Sequence, residues 1–128
     1  MKGRALRLKT LLAVQEQLKT MHEMRHAGHV AAALAAEAEA TELMARFDAQ
    51  GSLSGLFPEL YHRAIANARA RSAENARCAA EEAERIALAS ARLRLIERDW
   101  RDAQRAEDRA LENLQRLELI QSRPHQSK

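Results

Sequence analysis

A chain of 128 residues has room for one domain. About a fifth of it is alanine, and Phe47, Phe57, Tyr61 and Trp100 are its only aromatics, so a thick close-packed core is excluded. The formal charge is only +3, and the 30% of charged residues mix both signs, which describes a solvated helix surface better than a nucleic-acid footprint.

The chain opens on "MKGRALRLK", where Lys2, Arg4, Arg7 and Lys9 precede the first acid, Glu16. Such a start suits an acidic partner or, equally, a soluble frayed end. From about residue 5 to 49 there is one glycine and no proline, and nearly every residue favours a helix. Within it, "HEMRHAGH" puts His22, His26 and His29 on one helical face. If the chain doubles back, Cys78 falls opposite His29 and Glu81 opposite His26, a conceivable zinc set. An exposed histidine face on a polar helix is the commoner arrangement, and nothing fixes a second layer of partners, so neither metal nor cofactor is expected.

The breakers gather in "FDAQGSLSGLFPEL", residues 47–60. Gly51 can close the first helix, Ser54 can cap the second, and Pro58 fits its first turn. The expected turn spans about 50–57, followed by a second helix over about 58–121 and a disordered tail over 122–128. At 1.5 Å per residue the arms would reach about 65 Å and about 95 Å. Helices this long and this poor in bulk need each other. The sequence therefore predicts an all-α protein, an elongated two-helix antiparallel coiled-coil hairpin with a longer, projecting second helix.

A turn centred near residue 53 sets the seam. Leu11 should meet Ile96, Val14 should meet Leu93, Leu18 should meet Ala89, and Met21 should meet Ile86. Nearer the turn, Phe47 should meet Leu60. The mirrored three-and-four spacing on both arms is what an antiparallel coiled coil requires. Trp100 continues the second arm's row and should lie beside Leu6 and Leu8, as a seam residue or as an aromatic anchor for a partner. The last eighteen or so helical residues have no mate, yet keep Leu111, Leu114, Leu117 and Ile120. That stripe calls for a partner, or for a homodimeric overlap of two tails.

No phosphate-binding glycine loop, nucleophile elbow or paired-cysteine motif is present, and Glu81, Glu82 and Glu84 have no pocket to work in, so an enzyme is not expected. Cys78 is the single cysteine, which rules out an internal disulfide and favours a reducing compartment. With no membrane-length apolar run and no signal-like start, the expected location is the cytoplasm.

A chain of this size that opens with "LRLKTLLAVQEQLKTMHEMR" and closes with the charged helix "RDWRDAQRAEDRALENLQRLE" resembles the flagellar export stalk family (FliJ) and its type III secretion relatives (YscO-like). The resemblance covers nearly the whole chain and rests on length, pattern and the leucine-rich opening. It implies a bacterial stalk and adaptor whose end with both termini enters a hexameric export ATPase, while other parts meet the export gate and escort chaperones. The matching positions would be Lys2, Arg4, Arg7 and Lys9 with the helix around Leu111, Leu114 and Leu117. The chain departs from the family in being poor in aromatics near the turn. Two other readings compete: a scaffolding coiled coil that self-associates through its C-terminal helix, and a helical nucleic-acid binder using Arg63, Arg69, Arg71 and Arg77. The last is weakest, because no aromatics are interleaved for stacking.

Overall fold

The structure, a computed structural model, describes residues 2–49 and 55–122. Among them are two α-helices and no strand: α1, Lys2–Asp48, and α2, Pro58–Ser122. The two run antiparallel and pack on each other as a helical hairpin, joined by contacts such as His22–Glu82 and Phe47–Tyr61. Pro58 opens α2, where its missing N–H costs no hydrogen bond. The expected caps Gly51 and Ser54, most of the expected turn and tail residues 123–128 lie outside the described residues, as does the side chain of Lys2.

Burial along each helix alternates in steps of three and four. Two compact units share the two helices, one formed by residues 1–17 with 89–128 and the other by 18–88. In the first unit, Ala5, Leu8, Leu12 and Gln15 of α1 form the covered row, against Ala89, Leu93, Ile96, Trp100 and Ala103 of α2. In the second, the row on α1 is Lys19, His22, His26, His29, Ala33, Ala36, Ala40, Leu43 and Phe47. Its counterpart on α2 is Tyr61, Ile65, Ala68, Ser72, Asn75, Ala79, Glu82 and Ile86.

The buried positions are nearly all alanine: Ala5, Ala36, Ala40, Ala68, Ala79, Ala89 and Ala103, with Glu82 the one buried charge among the described residues. Small side chains let the backbones approach closely, so little apolar area is removed from water per turn. Toward the turn the seam gains bulk. The rings of Phe47 and Tyr61 meet edge to face at 5.9 Å, and Phe47 lies 4.9 Å from the His62 ring.

The seam of α1 differs from the sequence expectation. Leu11, Val14 and Leu18 are exposed and Met21 is half-buried, while Leu12, Gln15, Lys19 and His22 take the covered positions. A heptad row that includes Phe47, Leu43, Ala40 and Ala36 leads back, in steps of three and four, to His22, Lys19, Gln15 and Leu12. Continued toward the turn, the row through Leu11, Val14 and Leu18 would instead bury Arg25, Glu39, Glu42 and Arg46. The rest of α1 outvotes Leu11, Val14 and Leu18. On α2, Ile86, Ala89, Leu93 and Ile96 do occupy the seam. Leu60 does not: it is 58% exposed, and Phe47 packs on Tyr61 and His62 instead.

Candidate functional site

The unit that holds the start of α1 and the end of α2 contains the residues that the sequence marks as candidates for partner binding. Arg4 and Arg7 are exposed on the first two turns of α1, and Arg7 donates from Nε to the Gly3 carbonyl at 3.1 Å. Lys9 sits beside a groove of about 420 Å³ lined by Ala5, Leu6, Trp100, Gln104 and Glu107. Trp100 is thus partly covered by the first turns of α1 and partly open, both a seam residue and a groove wall. Glu107 brings a buried carboxylate oxygen, Oε1, that meets no hydrogen-bond donor among the described residues.

Beyond Glu107 every described residue of α2 is exposed. Leu114 and Leu117 are each more than half exposed, with Leu111 close behind at 46%. Leu114 and Leu117 continue the heptad phase of Trp100, Ala103 and Glu107, so the seam row runs on after α1 has stopped. Around it lie charges of both signs, including the pairs Arg101–Glu97 and Arg105–Asp102, each at 2.6 Å. Exposed pairs of this kind contribute little to stability and keep the helix soluble.

The other unit holds a polar stretch of seam. His22 Nδ1 lies 2.7 Å from Glu82 Oε2, and Arg85 donates to the other carboxylate oxygen at 2.8 Å. Burial pushes the Glu82 carboxyl up, but the hydrogen bonds from His22 and Arg85 and the charge of Arg85 outweigh it, and the net direction is down. Further along, His29 meets Asn75 at 3.5 Å and Ser72 donates to the Ala33 carbonyl at 3.1 Å. The expected juxtaposition of His29 with Cys78 is therefore shifted by three residues, and Cys78 instead reaches Glu74. Among the described residues no group of three histidine, cysteine or acidic side chains is placed to hold a metal ion.

On the surface, Arg77 pairs with both Glu74 and Glu81, which raises its guanidinium and lowers the Glu74 carboxyl. Sequence reading missed the role of His22, Glu82 and Asn75 as facing seam residues. The signal that could have found them was the heptad phase counted back from Phe47. Among the described residues no helix is long and apolar enough to cross a membrane. No family model, no curated protein and no solved structure matches the chain.

Proposed function

We propose that the chain is a non-enzymatic stalk and adaptor of a bacterial type III export apparatus, flagellar or injectisome. Acting at the cytoplasmic face, it engages the hexameric export ATPase and, through other surfaces, the export gate and export chaperones. The observation that carries the reading is the exposed row Leu111, Leu114 and Leu117, in the same unit as the basic turns of Arg4, Arg7 and Lys9. Leaving a leucine in water instead of burying it forgoes roughly 1.5–3 kcal/mol, so a stripe of three is costly unless a partner covers it. The basic turns add steering toward an acidic pore or collar. The resemblance of the opening and closing segments to the export stalk family supplies the identity of that partner.

A pull-down with the hexameric export ATPase tests this. The wild-type chain should be retained, and a Leu114→Glu, Leu117→Glu double variant should be lost while its circular dichroism stays helical. Retention of the double variant at full strength would remove the tail from the binding surface.

A second reading is favoured by the unbroken heptad phase from Ala103 to Leu117: a scaffolding coiled coil that self-associates through its C-terminal helix. In that case the double variant would lose self-association, and no ATPase would be bound by either protein.

A further inference from the structure

In the unit formed by residues 1–17 and 89–128, the covered row leaves two unlike edges. On α1, Arg4 and Leu11 directly precede Ala5 and Leu12 of that row, and on α2, Arg92 and Asp99 directly precede Leu93 and Trp100, so the four line one edge of the antiparallel pair. The adjoining outer positions of this edge are Arg7 and Val14 on α1 and Leu95 and Asp102 on α2. All eight belong to the unit formed by residues 1–17 and 89–128.

This edge has a largely apolar half and a charged half. Leu11, Val14 and Leu95 are 42%, 47% and 52% exposed, so about half of each side chain is in water. Arg92 is the one charge among them, exposed and with a long aliphatic stem. At the level of the first two turns of α1, the α1 positions of this edge are the cations Arg4 and Arg7 and the α2 positions the anions Asp99 and Asp102. Asp102 meets Arg105 of its own helix at 2.6 Å in an exposed pair, and the half-buried Asp99 lies 3.8 Å from the exposed Arg98; pairs of this kind are readily exchanged for a better partner.

We propose that this edge is a self-association surface and that its occupant is a second copy of the same chain. Charge complementarity selects that occupant and fixes the arrangement. With a two-fold axis along the helices, α1 of one protomer lies antiparallel to α2 of its partner, at the level its own α2 already occupies. Arg4 and Arg7 then face the Asp99 and Asp102 positions of the second copy, and Leu11 faces its Leu95 position. Val14 lies against the stem at the Arg92 position, whose guanidinium stays in water at the rim. The same contacts repeat on the other side of the axis, as an isologous interface requires. The opposite two-fold, across the helices, would set Arg4 and Arg7 against α1 of the second copy, with no acid of this set to meet them. The result is a four-helix arrangement in which the leucines close the apolar half and two arginine–aspartate sets fix the register.

Sedimentation of the isolated full-length chain at about 100 µM tests the proposal, a concentration at which an interface of modest area should still be populated. The expected mass is twice the protomer's 14.4 kDa. Leu95→Glu should return it to 14.4 kDa. The Arg4→Asp, Arg7→Asp variant and the Asp99→Arg, Asp102→Arg variant should each be monomeric alone and form a mixed dimer when combined. The Leu114→Glu, Leu117→Glu variant should remain dimeric. A monomeric wild-type chain would overturn the proposal, as would a dimer that survives Leu95→Glu or one that dissociates only when the tail leucines are changed. Because no export ATPase is present, the outcome is independent of the function proposed above.

Discussion

His22 and Glu82 join the two helices at a position where a coiled coil would ordinarily bury two apolar side chains. Their 2.7 Å contact, backed by Arg85 on the outer side of the carboxylate, satisfies the one buried charge among the described residues. Such a pair is weak evidence for stability, but removing one partner strands the other. It also fixes register, because the adjacent seam positions of α2, Ala79 and Ile86, would offer His22 no acid.

Glu82→Gln should therefore lower the melting temperature at pH 7. The folded carboxyl lies below the ordinary glutamate value of 4.5, so its contribution is fully present above that value and is lost as pH falls through the folded value. Thermal melts of wild type and variant should differ at neutral pH and converge in acid. A constant difference down to about pH 2 would mean that the carboxylate does not carry the effect.

The two rows of α1 can be compared directly. Leu12 is half-buried in the seam and Leu18 is exposed beside it. Leu12→Ala should cost about 1–3 kcal/mol, and Leu18→Ala less than about 1 kcal/mol. Urea melts of both variants measure this, and the reverse order would put the Leu11, Val14 and Leu18 row in the seam. On α2, Leu93→Ala should fall with Leu12→Ala, at about 1–3 kcal/mol.

Close approach of the helices depends on Ala68, which has no exposed area. Ala68→Leu would force the backbones apart and should cost about 1–3 kcal/mol despite its greater hydrophobicity. Unchanged or raised stability in chemical denaturation would show that the helices have room to spare there.

Gly28 is an exposed interior residue of α1, and an added Cβ would meet nothing within 4 Å. Gly28→Ala should accordingly stabilise the hairpin by about 0.5–1 kcal/mol, through the smaller entropy of the unfolded chain. A loss of stability on substitution would indicate that this turn of α1 needs glycine for a reason other than its helical propensity.

The hairpin itself was legible because only one cluster of breakers interrupts two long runs of helix formers, and both runs are helical as far as the structure describes them. The α2 row was legible too, since Ile86, Leu93 and Ile96 are bulky and Ala89 continues their spacing. On α1 the bulk misled. Leu11, Val14 and Leu18 look like a core row over a short stretch, and only the phase counted from Phe47 reveals that Gln15, Lys19 and His22 lie inside. Local hydrophobicity lost to the continuity of a long helix. The Glu82 pairing was hidden for the same reason, because a three-residue shift in register decides which residue His22 meets.

Arg4, Arg7 and Lys9 should act on rate more than on strength. Reversing all three charges should slow association with the ATPase, and the gap from wild type should shrink as salt rises past about 0.15 M, where screening is strong. Stopped-flow association at several ionic strengths would detect this, and an effect independent of salt would assign these residues to direct contact instead.

The proposed engagement of an export ATPase by the exposed end of α2 is tested most directly by the hydrolysis rate of the purified hexamer with added chain. The rate should rise with wild type and stay at its basal level with the Leu114→Glu, Leu117→Glu variant, whose circular dichroism should remain helical. A wild-type chain that leaves the rate unchanged, or a double variant that stimulates as well as wild type, would contradict the account.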